Sequence, residues 1–308
     1  MELADIKKVG VVGSGTMGFG IALNFALAGY PTVMSDISDE ILEQSMKNIK
    51  SALALFIEYE IITQKQADDA VIRITTTTDV NDVASNSDFI TEAIFDRSKD
   101  KREMFNKLDE LSPSHAIIAS NTSSLVLSDF GSDVKRQDKI VLTHYFAPPH
   151  IVPGVEVGKG PGTSDETFDL VYDLMKKVRR VPIRLYTEEP GYLINRLQAV
   201  VFKEAARLWA QGMANAEDIE LGIISTFGFR MPHEGPFKHY DLAGIWKWPE
   251  DIRFPPPDPT NEVDKKISEH LKEQKTWFVN PEKFDEAVEK RDREYIRRYK
   301  ALYLSKED

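Results

Sequence analysis

Four side chains in this sequence could together carry out proton transfer: Ser123, His144, Glu156 and Asn195. An imidazole ordinarily titrates near pH ~6.5, so His144 suits removal of a hydroxyl proton around neutrality. If hydride leaves the same carbon, the proton loss becomes oxidation of a secondary alcohol. Glu156, by accepting a hydrogen bond from the other ring nitrogen, would fix the tautomer and stabilise the imidazolium. Ser123 and Asn195 would hydrogen-bond the reacting oxygen and hold it near the base, an orientation effect. Each residue alone also has a plainer reading. His144 suits a hydrogen-bonded core histidine, Glu156 a strand-surface carboxylate, Ser123 a helix cap and Asn195 a surface amide. The four in combination favour chemistry.

A departing hydride needs an acceptor. Gly13-Ser14-Gly15-Thr16-Met17-Gly18 follows an apolar run at 9–12 and opens a helical stretch at 21–28. Gly13 permits a tight turn, Gly15 lets the backbone approach a pyrophosphate, and Gly18 lets helix and strand pack closely. At Thr16 and Met17 the helix begins, and its unpaired N–H groups and positive dipole end favour phosphate. Asp36 ends the next apolar run, twenty-three residues after Gly13. Its carboxylate can accept both ribose hydroxyls and would repel a 2′-phosphate. No arginine or lysine lies between positions 37 and 46 to offset that charge. The expected cofactor is therefore NAD rather than NADP. The alternative for Asp36 is a turn cap with Ser38 and Asp39.

The elements that must position these groups follow from pattern. Short apolar runs at 9–12, 32–35, 89–93, 116–120, 140–145, 155–157 and 181–185 alternate with helical periodicity at 40–59, 99–111 and 166–178. This predicts an α/β, Rossmann-type, doubly wound and mainly parallel sheet, with ligands at the carboxyl ends of its strands. The threonines at 75–78 suit an extended segment. Glu188-Glu189-Pro190-Gly191 marks a boundary, giving domains at 1–187 and 188–308, the second all-helical. There Leu193, Leu197, Val200, Val201 and Leu208 recur at helical spacing and suit a buried face. A further helix is expected at 214–227, and a stiff connector at 255–259. The charged helical tail from Pro281 carries a stripe of Phe284, Val288, Tyr295, Tyr299 and Leu302. Its arginines alternate with acids, which suits a solvated or subunit-facing helix rather than a nucleic-acid site.

At 308 residues the chain can bury a substantial core, and 42% hydrophobic with 29% charged residues is ordinary for a globular protein. A formal net charge of −11 argues against nucleic acid or an anionic membrane as principal partner. Cysteine is absent, which excludes disulfides, thiolate metal sites and a cysteine nucleophile. No metal is expected. The first eight residues lack a signal peptide's apolar stretch, and no run reaches membrane-spanning length, so a cytoplasmic location is expected.

Several motifs recur in an order that resembles the 3-hydroxyacyl-CoA dehydrogenase family. They are the glycine motif, Glu92-Ala93-Ile94, Lys101, Ser120-Asn121-Thr122-Ser123-Ser124, His144 twenty-one residues after Ser123, and Glu156 twelve after His144. Pro190-Gly191 leading to Asn195-Arg196, and Gly235-Pro236-Phe237 with Asp241-Leu242, complete the set. The resemblance runs nearly the whole way to Gly244. It implies His144 as base, Glu156 orienting it, and Ser123 and Asn195 holding substrate. It also implies cofactor contacts at Asp36, Glu92, Asp96, Lys101 and Ser123, with Asn121 in the same set, and a homodimer formed through the helical domain. Asp96 is one methylene shorter than the family's usual glutamate.

Departures bear on the substrate. Relatives that bind CoA commonly carry lysines on the helix after the second strand, where this chain reads Ala54-Leu55-Phe56-Ile57-Glu58-Tyr59-Glu60. Ala147 stands where an asparagine is frequent, and the lysine- and glycine-rich ending is missing. Pro148-Pro149-His150-Ile151-Val152-Pro153 and the long tail resemble the small-acid branch, which includes lambda-crystallin/L-gulonate 3-dehydrogenase and carnitine dehydrogenase. Arg230 would clamp a free carboxylate there, or form a surface ion pair. His150 is expected as an exposed loop residue. Hydroxyisobutyrate and phosphogluconate dehydrogenases open similarly but use a lysine in a glycine-rich motif that this chain lacks. The reading is thus an NAD-dependent 3-hydroxy/3-oxo oxidoreductase of acyl-CoA type. Its alternatives are a dehydrogenase of small free hydroxycarboxylates and a non-catalytic NAD-binding relative.

Overall fold

The computed structural model describes residues 1–249, 258 and 260–304. Its single sheet has eight strands: β1 Val9–Val12, β2 Thr32–Ser35, β3 Ile74–Thr77, β4 Phe89–Glu92, β5 Ile117–Ser120, β6 Ile140–Tyr145, β7 Gly154–Lys159 and β8 Val181–Leu185. They lie in the order β3-β2-β1-β4-β5-β6-β7-β8, and every neighbouring pair is parallel except β6 with β7. All seven expected strands are present, within two residues at each end. The order reverses between β1 and β4, so the crevice beyond their carboxyl ends is where a ligand is received.

The inner strands read as continuous apolar runs because both sheet faces are covered. Alternate residues feed two clusters: Ile117 and Ala119 of β5 enter one, and Ile118 enters the other. The first cluster takes its partners from α1 Gly18–Leu27, α2 Asp39–Glu58, α3 Gln64–Arg73 and, after the intervening helices, α7 Asp165–Lys177. The second takes Val83, Phe105 and Phe130 from α4 Val80–Ser85, α5 Ser98–Leu111 and α6 Leu127–Phe130. Edge strands are less buried. In β3 only Ile74 is buried, which is why its threonines show no apolar signal, and β8 accommodates Pro182 because an edge needs fewer donors. Mostly polar α3 buries only Ala67 and Ala70, and a capping box between Thr63 and Gln66 starts it.

The chain divides into two compact units, Met1–Val201 and Phe202–Asp308, with the cut inside α8 Ile194–Ala210. The second unit holds α9 Ala216–Ser225, α10 Phe227–Arg230, α11 Pro236–Leu242, α12 Glu262–Glu273 and α13 Phe284–Tyr299. No strand follows β8 among the described residues. Asn215 and Asn261 cap α9 and α12 through their side chains. The fully buried Asp241 carboxylate accepts the backbone N–H groups of Trp277, Phe278 and Val279 at 2.6–3.1 Å. This gives the Gly-Pro-Phe…Asp-Leu motif a structural use, because three N–H groups would otherwise lack partners.

One expectation needs correction. The apolar face of α8 is not buried within the chain: Leu197 is 51% exposed, Val200 67% and Val201 41%. Helical spacing identifies an apolar stripe without saying what covers it. In the tail, Phe284, Val288 and Tyr295 are half-buried, whereas Tyr299 and Leu302 are exposed. The tail's arginines are engaged within the chain. Arg293 pairs with Glu289 and Arg297 with Glu294, while Arg291 and Arg298 donate to the carbonyls of Leu242 and Phe229. The connector expected at 255–259 lies, Asp258 apart, outside the described residues. No described helix is long and apolar enough to cross a membrane.

Candidate active site

The glycine motif forms the turn from β1 into α1. Gly13 has φ +91°, and its N–H donates to the Ser35 carbonyl. A Cβ on Gly18 would stand 1.7 Å from the Gly13 carbonyl oxygen, so helix and turn touch there. Beside Gly15 no atom would lie within 4 Å of a Cβ, which leaves open space over the turn. Gly15 and Thr16 are exposed, Met17 is half-buried, and no side chain caps the first turn of α1. That open cradle, with uncapped N–H groups, fits a pyrophosphate.

Asp36 completes the cradle. Its Oδ2 accepts the Ser14 N–H at 2.6 Å and hydroxyl at 2.9 Å, and Oδ1 accepts the Ile37 N–H at 2.8 Å. Ser45 donates to the Ser14 carbonyl at 2.7 Å, tying α2 to the turn. Asp36 thus binds the turn directly, and of its roughly four lone-pair sites the one left, on Oδ1, is available to a hydroxyl.

Beyond β4 and β5 lies a polar cluster. Lys101 of α5, fully buried, sits 2.7 Å from Glu92 and 3.2 Å from Asp96. Glu92, also fully buried, accepts the Ile94 N–H and the Ser120 hydroxyl, each at 2.7 Å. Burial pushes its carboxyl up, against the pull of Lys101. Burial acts upward on Asp96 too, but the Ser123 N–H, Lys101 and neighbouring hydroxyls outweigh it and hold the carboxyl at about 2. Asn121 Oδ1 accepts the Tyr145 N–H at 2.9 Å, pinning β5's exit to β6.

His144 and Glu156 are directly opposed across β6 and β7. Nδ1 of His144 lies 2.7 Å from Glu156 Oε2, and the two residues are 4% and 0% exposed. Glu156 Oε1 accepts the N–H groups of Leu193 and Ile194, at 3.1 and 2.8 Å, where α8 starts. A carboxylate at a helix N-terminus is favoured by dipole and donors alike. Phe146 and Tyr192 flank the imidazole at ring separations of 4.6 and 5.7 Å. Nε2 has no hydrogen-bond partner among the described residues. From the first turn of α8, Asn195 Nδ2 donates to the Ser123 carbonyl at 3.3 Å.

The structure therefore brings Ser123, His144, Glu156 and Asn195 together by direct bonds and neighbouring loops. Ala147 is exposed, and Arg230 is half-buried in the second unit with its Nε unpartnered and no ion pair among the described residues. His150 is not an exposed loop residue. It is half-buried against Phe19 and Phe56, at 5.3 and 6.0 Å, and burial lowers its affinity for a proton. Sequence reasoning missed Ser120 and Tyr192. The Tyr192 hydroxyl donates to the Leu125 carbonyl, and the residue follows Gly191 with φ +49°. An aromatic directly after Pro-Gly was the available signal.

Residues 8–188 match the 3-hydroxyacyl-CoA dehydrogenase NAD binding domain, and residues 191–252 match that family's C-terminal domain. The chain belongs to the 3-hydroxyacyl-CoA dehydrogenase family, and so to the NAD-dependent oxidoreductases acting on CH–OH groups. Among its relatives is the human mitochondrial hydroxyacyl-coenzyme A dehydrogenase, 33% identical over 284 residues, covering 88% of this chain and 89% of the relative. L-carnitine dehydrogenase of Bacillus cereus is 30% identical over 290 residues, covering 89% of this chain and 87% of the relative. The crystal structure of (S)-3-hydroxybutyryl-CoA dehydrogenase from Ralstonia eutropha superposes with a TM-score of 0.69 at 32% identity, covering 78% of this chain and 83% of the other.

Proposed function

We propose that this chain interconverts a 3-hydroxyacyl substrate and its 3-oxo form, with His144 as the acid–base group. The observation that carries the assignment is the His144–Glu156 pair, with Nδ1 bound to the carboxylate and Nε2 left free. Because Glu156 fixes Nδ1 as the protonated nitrogen, Nε2 presents a lone pair that takes the substrate's hydroxyl proton. In the reverse direction the same nitrogen returns it. Glu156 stabilises the imidazolium between these events, and its second oxygen, on the start of α8, keeps the carboxylate from turning away. Asn195 holds the reacting oxygen, and Ser123 contacts the bound ligand beside it. Gly13, Gly15, Thr16, Met17, Gly18 and Asp36 would hold NAD at its pyrophosphate and adenosine ribose, and Glu92, Asp96, Lys101 and Asn121 would shape the nicotinamide end. When bound, NAD supplies the hydride acceptor.

A second reading has its own support: a small free hydroxycarboxylate as substrate, without CoA. The end of α2 carries exposed Glu58 and Glu60 and no base, a poor match for an anionic CoA phosphate. The carnitine-specific relative acts on a free acid by its name, and Arg230 retains an unpartnered donor. Oxidation of NADH with acetoacetyl-CoA, run beside free 3-oxo acids, decides between the two. Faster turnover of free acids, lost in Arg230→Met, selects the second. NADH binding without turnover of any 3-oxo compound would leave a non-catalytic relative.

The same reading places the nucleotide-binding part at 1–187 and the substrate and dimerisation part at 188–308. The exposed apolar stripe of Leu193, Leu197, Val200 and Val201 supports a homodimer with a second copy over this face. Sedimentation at micromolar concentration tests it, and a monomer would remove it. A cytoplasmic location suits the cysteine-free composition and is checked by cell fractionation.

A further inference from the structure

We infer that Asp96 is a positioning residue for Ser123, rather than primarily a cofactor contact. This rests on the proposed function in one respect, that Ser123 touches a ligand in the site. The observation is a convergence of donors. Oδ2 of Asp96 receives the Ser123 N–H at 3.0 Å and hydroxyl at 3.1 Å, and the Ser124 N–H at 3.2 Å and hydroxyl at 3.0 Å. Its Oδ1 faces the Lys101 ammonium at 3.2 Å. A carboxylate offers roughly four lone-pair sites and five donors face this one, so its accepting capacity is spent within the chain.

The direction of these bonds has a chemical consequence. An ionised carboxylate has no proton to give, so both serine hydroxyls must donate to it. The Ser123 hydroxyl hydrogen is thereby directed at Asp96, and Oγ turns its lone pairs toward the site. Ser123 Oγ then accepts a hydrogen bond from an N–H or O–H of the bound ligand other than the reacting hydroxyl, whose single proton goes to His144. Donation to a developing oxyanion falls to His144 Nε2, once protonated, and to the Asn195 hydrogen not used on the Ser123 carbonyl. The segment is gripped elsewhere as well: Asn195 holds the Ser123 carbonyl and Tyr192 holds that of Leu125. Among the described residues, Asp96 alone bonds the Ser123 hydroxyl. A longer glutamate would have to fold back to bring one oxygen to all four donors, so the short side chain fits this duty.

The test is a double-mutant cycle. Asp96→Ala leaves Lys101 paired with Glu92, so the buried lysine keeps its principal partner. At saturating NADH the expected loss in kcat is about tenfold or more, with the Kd for NADH, from fluorescence titration, within about threefold of wild type. In a Ser123→Ala background the same substitution should cost less than about threefold, because its effect travels through the missing hydroxyl. A Kd raised about tenfold with kcat unchanged would make Asp96 a cofactor contact and overturn the inference. So would equal losses in both backgrounds.

Amide exchange at Ser123 and Ser124 gives a readout that does not depend on turnover. It should accelerate about tenfold or more in Asp96→Ala, and unchanged exchange would refute the positioning role. If the wild-type protein reduces no 3-oxo compound, the proposed function fails, while exchange and NADH titration still decide the role of Asp96. Should Asp96→Ala not fold, Asp96→Glu is measured in the same way, with a fall in kcat at unchanged NADH affinity as the expected result.

Discussion

Glu156 binds the imidazole of His144 with one oxygen and the first backbone N–H groups of α8 with the other. Base, orienting acid and the helix that carries Asn195 are thus joined through a single buried carboxylate. Removing the base should therefore separate chemistry from binding. His144→Ala is expected to lower kcat by about 10²–10⁴ while the Kd for NADH changes less than about twofold. Steady-state rates and fluorescence titration check this, and substantial remaining turnover would take His144 out of the mechanism.

Glu156→Gln tests the orienting role. A glutamine that keeps its carbonyl on Leu193 and Ile194 turns an NH2 group toward Nδ1, which must then accept. The proton moves to Nε2, the wrong tautomer for a base. The expected loss in kcat is about a hundredfold or more, with the fold retained by circular dichroism.

The glycines should divide by mechanism. Gly15→Ala meets no atom within 4 Å and should melt near wild type while binding NADH about tenfold or more weakly, because the methyl enters the pyrophosphate's space. Gly18→Ala drives a methyl into the Gly13 carbonyl and should cost about 1–3 kcal/mol of stability or more. Equal melting temperatures for the two variants would contradict this division.

Cofactor choice should follow Asp36. Its carboxylate, held on Ser14, sets like charge against a 2′-phosphate, at a cost of several kcal/mol. NADPH should therefore bind about a hundredfold or more weakly than NADH, as read by competition titration. Tighter NADPH binding would reject the role.

Acid should expose the strength of the Asp96 anchor. Its carboxyl is held at about 2, below the ordinary aspartate value near ~3.9. A depressed folded value means the stabilisation is complete above the ordinary value and fades as pH falls toward about 2. The difference in Tm between wild type and Asp96→Ala should be constant above pH ~5 and shrink between about 4 and 2. A difference independent of pH over that range would count against the anchor.

Much of the first unit was legible in the residues. Continuous apolar runs such as Ile140–Tyr145 announce strands covered on both faces, and the glycine spacing announces the turn they feed. The Ser123, His144, Glu156 and Asn195 set was picked out by its joint spacing, which resembles that of the family. Hidden features depended on distant partners. The threonines of Ile74–Thr77 suit an extended segment, but its place beside β2 comes from a pairing that carries no apolar signal. His150 is half-buried because Phe19 and Phe56 approach from other elements. The stripe on α8 was visible as periodicity, but a single chain does not say which surface meets it.

Asp241 bears on how such sequences are compared. Its carboxylate is fully enclosed and occupied by three main-chain amides. The side chain serves the geometry of one corner, whatever molecule is being oxidised. An aspartate so occupied carries no information about substrate preference, which must be sought in side chains that still have something left to offer.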